Sequence, residues 1–206
     1  LGYKGGEIPA DIMEEIHRCM DVMMKAARPR AVWRQFALLP DGALKGTDFF
    51  PQGKDIRALL QDCNQVILLG ATLGTEVEAL LRRAQVRNMT DAVILDCCGS
   101  SAIENVLDNL CEDIGGQVEG YLTDRFSPGY GDFPFAQQPE LCRVLDLPRR
   151  IGVTLSPGGL MIPQKSVTAL VGVADRPQTK RFRGCAYCSQ FKNCTYRKGN
   201  RTCGNQ

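Results

Sequence analysis

Apolar residues recur at helical spacing in several stretches of the chain, and each stretch predicts an amphipathic helix. The first helix follows Pro9 and is stopped by Arg28-Pro29. Its apolar face consists of Ile8, Ile12, Ile16, Cys19 and Met23. Further helices are predicted over residues 53–63, 77–84, 90–114 and 139–147.

Shorter apolar runs bounded by turn residues predict the strands. These strands cover residues 31–39, 66–69, 118–123, 153–155 and 166–173. In the last strand, Val167, Ala169, Val171 and Val173 alternate and predict one apolar face. Helices and strands mix without a regular β-α-β repeat. The pattern therefore predicts an α+β fold with a mostly antiparallel sheet and flanking helices.

Local signals predict how the middle helices begin. Thr75 and Glu78 have the spacing of a capping box, and Thr90-Asp91 can cap the long helix that follows. Residues 70–74, which hold two glycines, are predicted to form a turn after the strand at 66–69. A strand, glycine turn and helix can cradle a phosphate, but the spacing matches no phosphate-binding motif and a structural turn is the simpler interpretation.

The composition of the 206 residues, 44% hydrophobic and 23% charged, is typical of a folded globular protein and excludes a disordered or collagen-like chain. No apolar stretch approaches the about 18 residues of a membrane helix, so no membrane association is expected. The first residues lack the apolar segment of a signal peptide, and a cytoplasmic location is expected. The single histidine, His17, lies among polar neighbours and is expected to be solvated.

Charge divides the chain at residue 176. Residues 1–175 hold 17 basic and 23 acidic side chains, whereas residues 176–206 hold eight basic and no acidic ones. Such blocks are often solvated or partner-facing segments. We therefore predict a body over residues 1–175 and a basic tail over residues 176–206.

The cysteines follow the same division. Six are scattered among mostly apolar neighbours of the body and are expected to be buried thiols. The tail holds Cys185, Cys188, Cys194 and Cys203 within nineteen residues. A disulfide framework is disfavoured without a secretory signal, so a metal site is predicted. Four thiolates suit a tetrahedral zinc ion and an iron-sulfur cluster equally well.

A possible ligand site lies between residues 119 and 130. Glu119 and Tyr121 precede Arg125, and a Pro-Gly-Tyr turn follows at residues 128–130. An arginine can hold a carboxylate through two hydrogen bonds, and a glutamate can accept from an ammonium or face a sulfonium. The segment therefore suits a zwitterionic ligand. A surface ion pair beside a turn explains the same residues.

This segment, together with Leu155-Ser156, Met161, Pro163 and Ser166-Val167-Thr168, resembles the activation domain of cobalamin-dependent methionine synthase. The resemblance is close over residues 119–173 and looser over 60–115, and it does not cover the tail. It implies a C-shaped α+β fold with a twisted antiparallel sheet that binds S-adenosylmethionine. In that family the domain docks over the cobalamin-binding domain, where inactive cob(II)alamin is reduced and remethylated.

The resemblance also implies roles for individual residues. Arg125 is similar to the arginine that holds the ligand, and Glu119 matches the acidic residue six positions before it. Ser127 stands where the family uses backbone contacts, and Gly129 and Tyr130 complete the turn. In a looser match, Glu104 is similar to a helix glutamate near the ligand's positive end. A family tyrosine expected after the strand at 166–173 has no counterpart in residues 174–180.

The expected function is an accessory S-adenosylmethionine-binding subunit that supports reductive reactivation of methionine synthase, with the cobalamin held by a partner protein. No residue is assigned a proton-transfer role, because a sulfonium is already a good leaving group. The basic tail would attract an acidic electron donor such as a flavodoxin, which is preferred over nucleic acid. The alternative is a metal-binding interaction module whose tail contacts nucleic acid or an acidic protein.

Overall fold

A computed structural model describes residues 8–178, which form an α+β fold with an antiparallel sheet and flanking helices. The predicted fold class is confirmed to that extent. The helices are α1 (Ala10–Ala26), α2 (Lys54–Leu60), α3 (Thr75–Arg87), α4 (Met89–Gly115), α5 (Gln138–Leu145) and α6 (Leu147–Ile151). The strands are β1 (Arg30–Ala37), β2 (Cys63–Thr72), β3 (Tyr121–Leu122), β4 (Thr154–Leu155), β5 (Met161–Ile162) and β6 (Ser166–Ala174).

Four strands form the main sheet in the order β1-β2-β6-β3, and β4 pairs with β5 in a separate two-stranded sheet. Strand β3 runs antiparallel to β6, with Tyr121 opposite Ala174 and Leu122 opposite Val173. The alternation of Val167, Ala169, Val171 and Val173 puts these four residues on one face of β6, and the residues of the other face are buried as well. All its residues except Val167 are buried, because β6 lies inside the sheet and both of its faces are covered.

Contacts divide the described chain into two compact units. The first unit comprises residues 8–32, 71–112 and 147–167. The second unit comprises residues 33–70, 113–146 and 168–178. The predicted boundary at residues 175/176 lies at the edge of the described chain and stays a prediction.

In the first unit, α1 packs against α3, and the long helix α4 is fastened by two ion pairs. Arg18 of α1 lies 2.5 Å from an Asp91 carboxylate oxygen. The Lys165 ammonium lies 2.8 Å from an Asp96 oxygen and donates to the Ser100 hydroxyl. A Cβ at Gly99 would approach Lys165 Cε to 3.1 Å. Glycine at position 99 therefore lets the aliphatic part of the Lys165 side chain lie directly against α4.

The two middle helices begin differently from the predictions. Helix α3 starts after Gly74, and no side chain caps it. The predicted capping box is wrong, because Thr75 already lies inside the helix and Glu78 accepts hydrogen bonds from Arg82 and from the Gln164 amide. Helix α4 begins before the predicted cap.

Asn88 caps helix α4. Its side-chain oxygen accepts from the Thr90 amide at 3.0 Å and from the Asp91 amide at 3.4 Å. Asparagine is among the preferred N-cap residues, so the cap was readable from the sequence two positions before Thr90.

Three other boundaries need correction. Residues 70–72 belong to β2 rather than to a turn. The predicted strand at 118–123 shrinks to β3, because the Gln117 and Val118 amides both donate to the Ile114 carbonyl and continue the helix end. The predicted helix at 139–147 divides at Asp146, whose φ of 53° interrupts it between α5 and α6.

The body cysteines are less uniform than expected. Cys19 and Cys142 are buried, whereas Cys63, Cys97, Cys98 and Cys111 are only partly buried. Burial raises the pKa of the Cys63 thiol to about 11, with a smaller contribution from the Asp62 and Asp175 charges. His17 is exposed, as predicted. Within residues 8–178, every helix is too short or too polar to span a lipid bilayer.

Candidate functional site

The candidate ligand-binding segment lies in the second unit and runs beside β6. Phe126 and Leu170 exchange two backbone hydrogen bonds of 2.9 Å each, and the Thr123 amide donates to the Gly172 carbonyl at 3.0 Å. The Thr123 hydroxyl accepts from the Gly172 amide at 2.8 Å. The backbone on both sides of Arg125 is therefore fixed against a buried strand.

The turn that follows is closed by its own backbone and by aromatic packing. The Tyr130 amide donates to the Ser127 carbonyl at 3.0 Å, and the Gly129 amide donates to the Phe133 carbonyl at 2.8 Å. The Phe126 ring lies 6.4 Å from the buried Phe133 ring and 6.5 Å edge-on from Tyr130. Tyr130 remains 66% exposed, so its ring is held in place yet available to a ligand.

Two carboxylates join this turn to the start of α2; we name Asp55 and Asp132 the carboxylate clamp. Asp132 accepts from the Lys54 amide at 2.6 Å and from the Asp55 amide at 3.0 Å. Asp55 accepts in return from the Asp132 amide at 3.2 Å. These backbone donors, that of Lys54 first, hold the pKa of Asp132 below its ordinary value.

Glycine permits the close approach at both sides of the clamp. Gly53 has a φ of 126°, and a Cβ there would lie 2.6 Å from an Asp132 carboxylate oxygen. Gly131 has a φ of 51°, and a Cβ there would overlap the Asp55 carboxylate. Both conformations are ones that other residues rarely adopt, so the clamp requires glycine at each position.

A buried amide adds a second link. The Gln137 side chain is 7% exposed, accepts from the Gln52 amide at 2.7 Å and donates to the Phe50 carbonyl at 2.8 Å. The side-chain oxygen and the side-chain nitrogen of Gln137 thus both bond the backbone of residues 50–52. Together with the clamp, this amide fixes the segment 125–137 before any ligand arrives.

The predicted ligand-binding residues differ in their exposure and in the unit to which they belong. Arg125 and Ser127 are partly buried, and Gly129 and Tyr130 are exposed, all in one continuous fixed segment. Glu119 is exposed in the turn before β3. Glu104 is exposed on α4 and belongs to the first unit. Their roles in binding stay predictions.

The residue types of the segment suit recognition of a ligand. A guanidinium can bind a carboxylate or phosphate through two parallel hydrogen bonds. An exposed tyrosine ring can contact a flat heterocycle or a cation. Both residues lie on one short segment whose backbone is held by hydrogen bonds on either side.

Sequence reasoning missed Asp55, Asp132 and Gln137, which hold the segment. One signal was readable: α2 begins after Gly53 with no side-chain cap of its own. The first amides of a helix need acceptors, so this start indicated a carboxylate or amide from elsewhere in the chain. The sequence does not say which residue supplies it.

The predicted metal ligands Cys185, Cys188, Cys194 and Cys203 lie outside the described residues. Among residues 8–178, no group of three or more His, Cys, Asp or Glu side chains is arranged to hold a metal ion. The choice between zinc and an iron-sulfur cluster therefore stays open.

Comparisons with known proteins complete the description. No protein-family model and no curated protein sequence matches the chain. Among solved structures, the crystal structure of the MetH reactivation domain bound to AdoHcy matches with a TM-score of 0.59. The two folds are alike. The match covers 84% of this chain and 69% of that one at 14% sequence identity, so the likeness shows the fold and leaves the ligand to be tested.

Proposed function

We propose that this chain binds S-adenosylmethionine and serves as a reactivation subunit of cobalamin-dependent methionine synthase. The proposal rests on one observation: the predicted ligand-binding residues lie on a fixed segment of a fold that is like a ligand-bound reactivation domain. The fold is like that of a reactivation domain crystallised with AdoHcy, the demethylated form of this ligand. The residues that suggest ligand binding, Arg125 to Tyr130, occupy a segment fixed by the carboxylate clamp and Gln137.

In this proposal the segment positions the methyl donor. Arg125 holds the amino-acid carboxylate, the turn at Ser127 and Gly129 supplies backbone groups, and Tyr130 packs against the ligand. Glu119 supplies negative charge toward the ligand's cationic groups. A segment fixed in advance loses little conformational entropy on binding, so more of the contact energy appears as affinity.

The partner would be a protein that holds cobalamin, and the cobalamin supplies the nucleophile that accepts the methyl group. The residues of this chain contribute orientation and shielding, because the sulfonium needs no proton to leave. In the same proposal, the basic tail and its cysteines attract an acidic electron donor of the flavodoxin type, and the protein acts in the cytoplasm.

Calorimetry of the full chain with S-adenosylmethionine and S-adenosylhomocysteine tests the proposal. We expect saturable binding of both, weakened about tenfold or more by Arg125→Gln, because hydrogen bonds to charged groups are the stronger ones. Arg125→Lys keeps the charge and is expected to recover only part of the affinity.

The matched control is Arg143→Gln, in the same unit. Arg143 is exposed and its ion pairs with Asp48 and Glu140 span 3.7 and 3.8 Å, so its loss should leave binding unchanged. Circular dichroism confirms that each variant folds. An absence of binding to the wild-type chain, both alone and with a cobalamin-binding partner, would refute the proposal. Equal losses of affinity in Arg125→Gln and Arg143→Gln would refute it as well.

A further inference from the structure

A cleft of about 310 Å³ lies in the first unit, and none of the residues that line it is assigned to the proposed ligand; we name it the arginine cleft. It is formed by α1, α3 and the start of α4. Its charged lining consists of Arg18, Arg83, Arg87 and Asp91. Its apolar walls include Val22, Leu80 and Leu95.

The cleft has more positive than negative charge. Three arginines and one carboxylate, that of Asp91, line the cleft, and their charges sum to +2. Asp91 already pairs with Arg18 at 2.5 Å, and this contact is the main reason that the pKa of Arg18 is raised. Within residues 8–178, neither Arg83 nor Arg87 makes an ion pair or a side-chain hydrogen bond.

Arg83 and Arg87 are four residues apart on α3, where like charges repel and destabilise a helix. The neighbouring Arg82, in contrast, is paired with an acidic residue one turn away, Glu78, at 3.1 Å. The two arginines that line the cleft have no such partner in the described chain. An anion between them would convert this repulsion into attraction.

The positive charge of the cleft comes from side chains rather than from a bare helix end. Asn88, which also lines the cleft, already accepts from the Thr90 and Asp91 amides. The arginines project from α1 and α3, whose positions are fixed by their own packing. The cleft is thus present without a ligand.

We propose that the arginine cleft binds the phosphate group of a small phosphate monoester, with the apolar walls contacting the organic part. A phosphate dianion matches the net charge of +2, and arginine is the residue best suited to bind phosphate through paired hydrogen bonds. A carboxylate monoanion would neutralise only half of this charge. The proposal does not depend on S-adenosylmethionine binding.

The test is calorimetric titration of the full chain with inorganic phosphate, pyrophosphate and acetate at low salt. We expect saturable binding of phosphate and tighter binding of pyrophosphate, with acetate weaker than both. The double variant Arg83→Gln/Arg87→Gln should lower the pyrophosphate affinity at least about tenfold. Each affinity should fall as salt rises.

The control is Arg82→Gln, which removes one guanidinium from the same helix outside the cleft. Its pyrophosphate affinity should stay within about twofold of the wild type, since Arg82 faces Glu78. Chemical-shift changes confined to the lining residues of α1, α3 and the start of α4 would support the location.

Three results would overturn the proposal. They are no saturable binding of phosphate or pyrophosphate, an equal loss in Arg82→Gln, and binding to phosphatidic acid vesicles without binding of soluble pyrophosphate. The last would indicate a membrane surface instead of a small molecule.

Discussion

The fixed segment of the second unit and the arginine cleft of the first unit hold their side chains in different ways. Around Arg125 the chain is irregular, and its shape depends on hydrogen bonds to residues far away in the sequence. Asp132 contacts the amides of Lys54 and Asp55, more than seventy positions earlier. In the cleft, Arg83 and Arg87 project from a regular helix whose backbone bonds are local.

This difference predicts different consequences of mutation. A change in the fixed segment should alter stability and ligand binding together, because the same contacts determine both. A change in the arginine cleft should alter phosphate binding with little effect on the fold, because the helix forms without those charges. Three measurements test this contrast.

The largest effect is expected for Gly131→Ala. A left-handed conformation costs an ordinary residue about 1–2 kcal/mol. The added Cβ would also overlap the Asp55 carboxylate and lie 3.1 Å from Phe126 Cζ, which adds about 1–3 kcal/mol of overpacking. Unfolding in urea should show the combined loss, and S-adenosylhomocysteine binding should weaken with it.

Gly46→Ala provides the matched control for that variant. Gly46 also belongs to the second unit and has a φ of 81°, but a Cβ there would meet nothing within 4 Å. It should show only the conformational cost of about 1–2 kcal/mol. Equal destabilisation by the two variants would mean that the close approach at Asp55 contributes nothing.

A smaller effect is expected from protonation of Asp132. Its pKa is lowered in the folded protein by the Lys54 and Asp55 amides, so the clamp favours the charged form. The stability that it contributes is complete above the ordinary value of 3.8 and is lost as the pH falls through the lower folded value. Urea unfolding of the wild type and Asp132→Asn should therefore differ at neutral pH and converge at acidic pH. A difference independent of pH would contradict this assignment.

The sequence predicted most elements of the fold because their signals are local. Helical spacing located α1 and α4, and apolar runs located β1 and β6. Two boundaries went wrong because the groups concerned take hydrogen-bond partners other than those the pattern indicated. Strand β3 is short because the Gln117 and Val118 amides serve the end of α4, and α3 lacks the predicted capping box because Glu78 instead contacts Arg82 and Gln164.

The candidate site shows the same limit. Arg125 and the Pro-Gly-Tyr turn predicted a ligand-binding segment, and the structure shows that the backbone of this segment is fixed by hydrogen bonds. The residues that fix it were not found, because Asp132 and Gln137 act on backbone amides of residues 52–55 and no local spacing encodes that pairing.

The smallest predicted effect concerns the charges on α3. Arg83→Gln removes the repulsion with Arg87 and should raise the free energy of unfolding by about 0.2–0.5 kcal/mol at low salt. Arg82→Gln removes the ion pair with Glu78 and should lower it by a similar amount. Both shifts should disappear at high salt, where exposed charges are screened. Opposite signs in neighbouring variants would show that Arg83 is kept at a cost to stability, as a binding residue would be, whereas equal signs would leave the arginine cleft without that support.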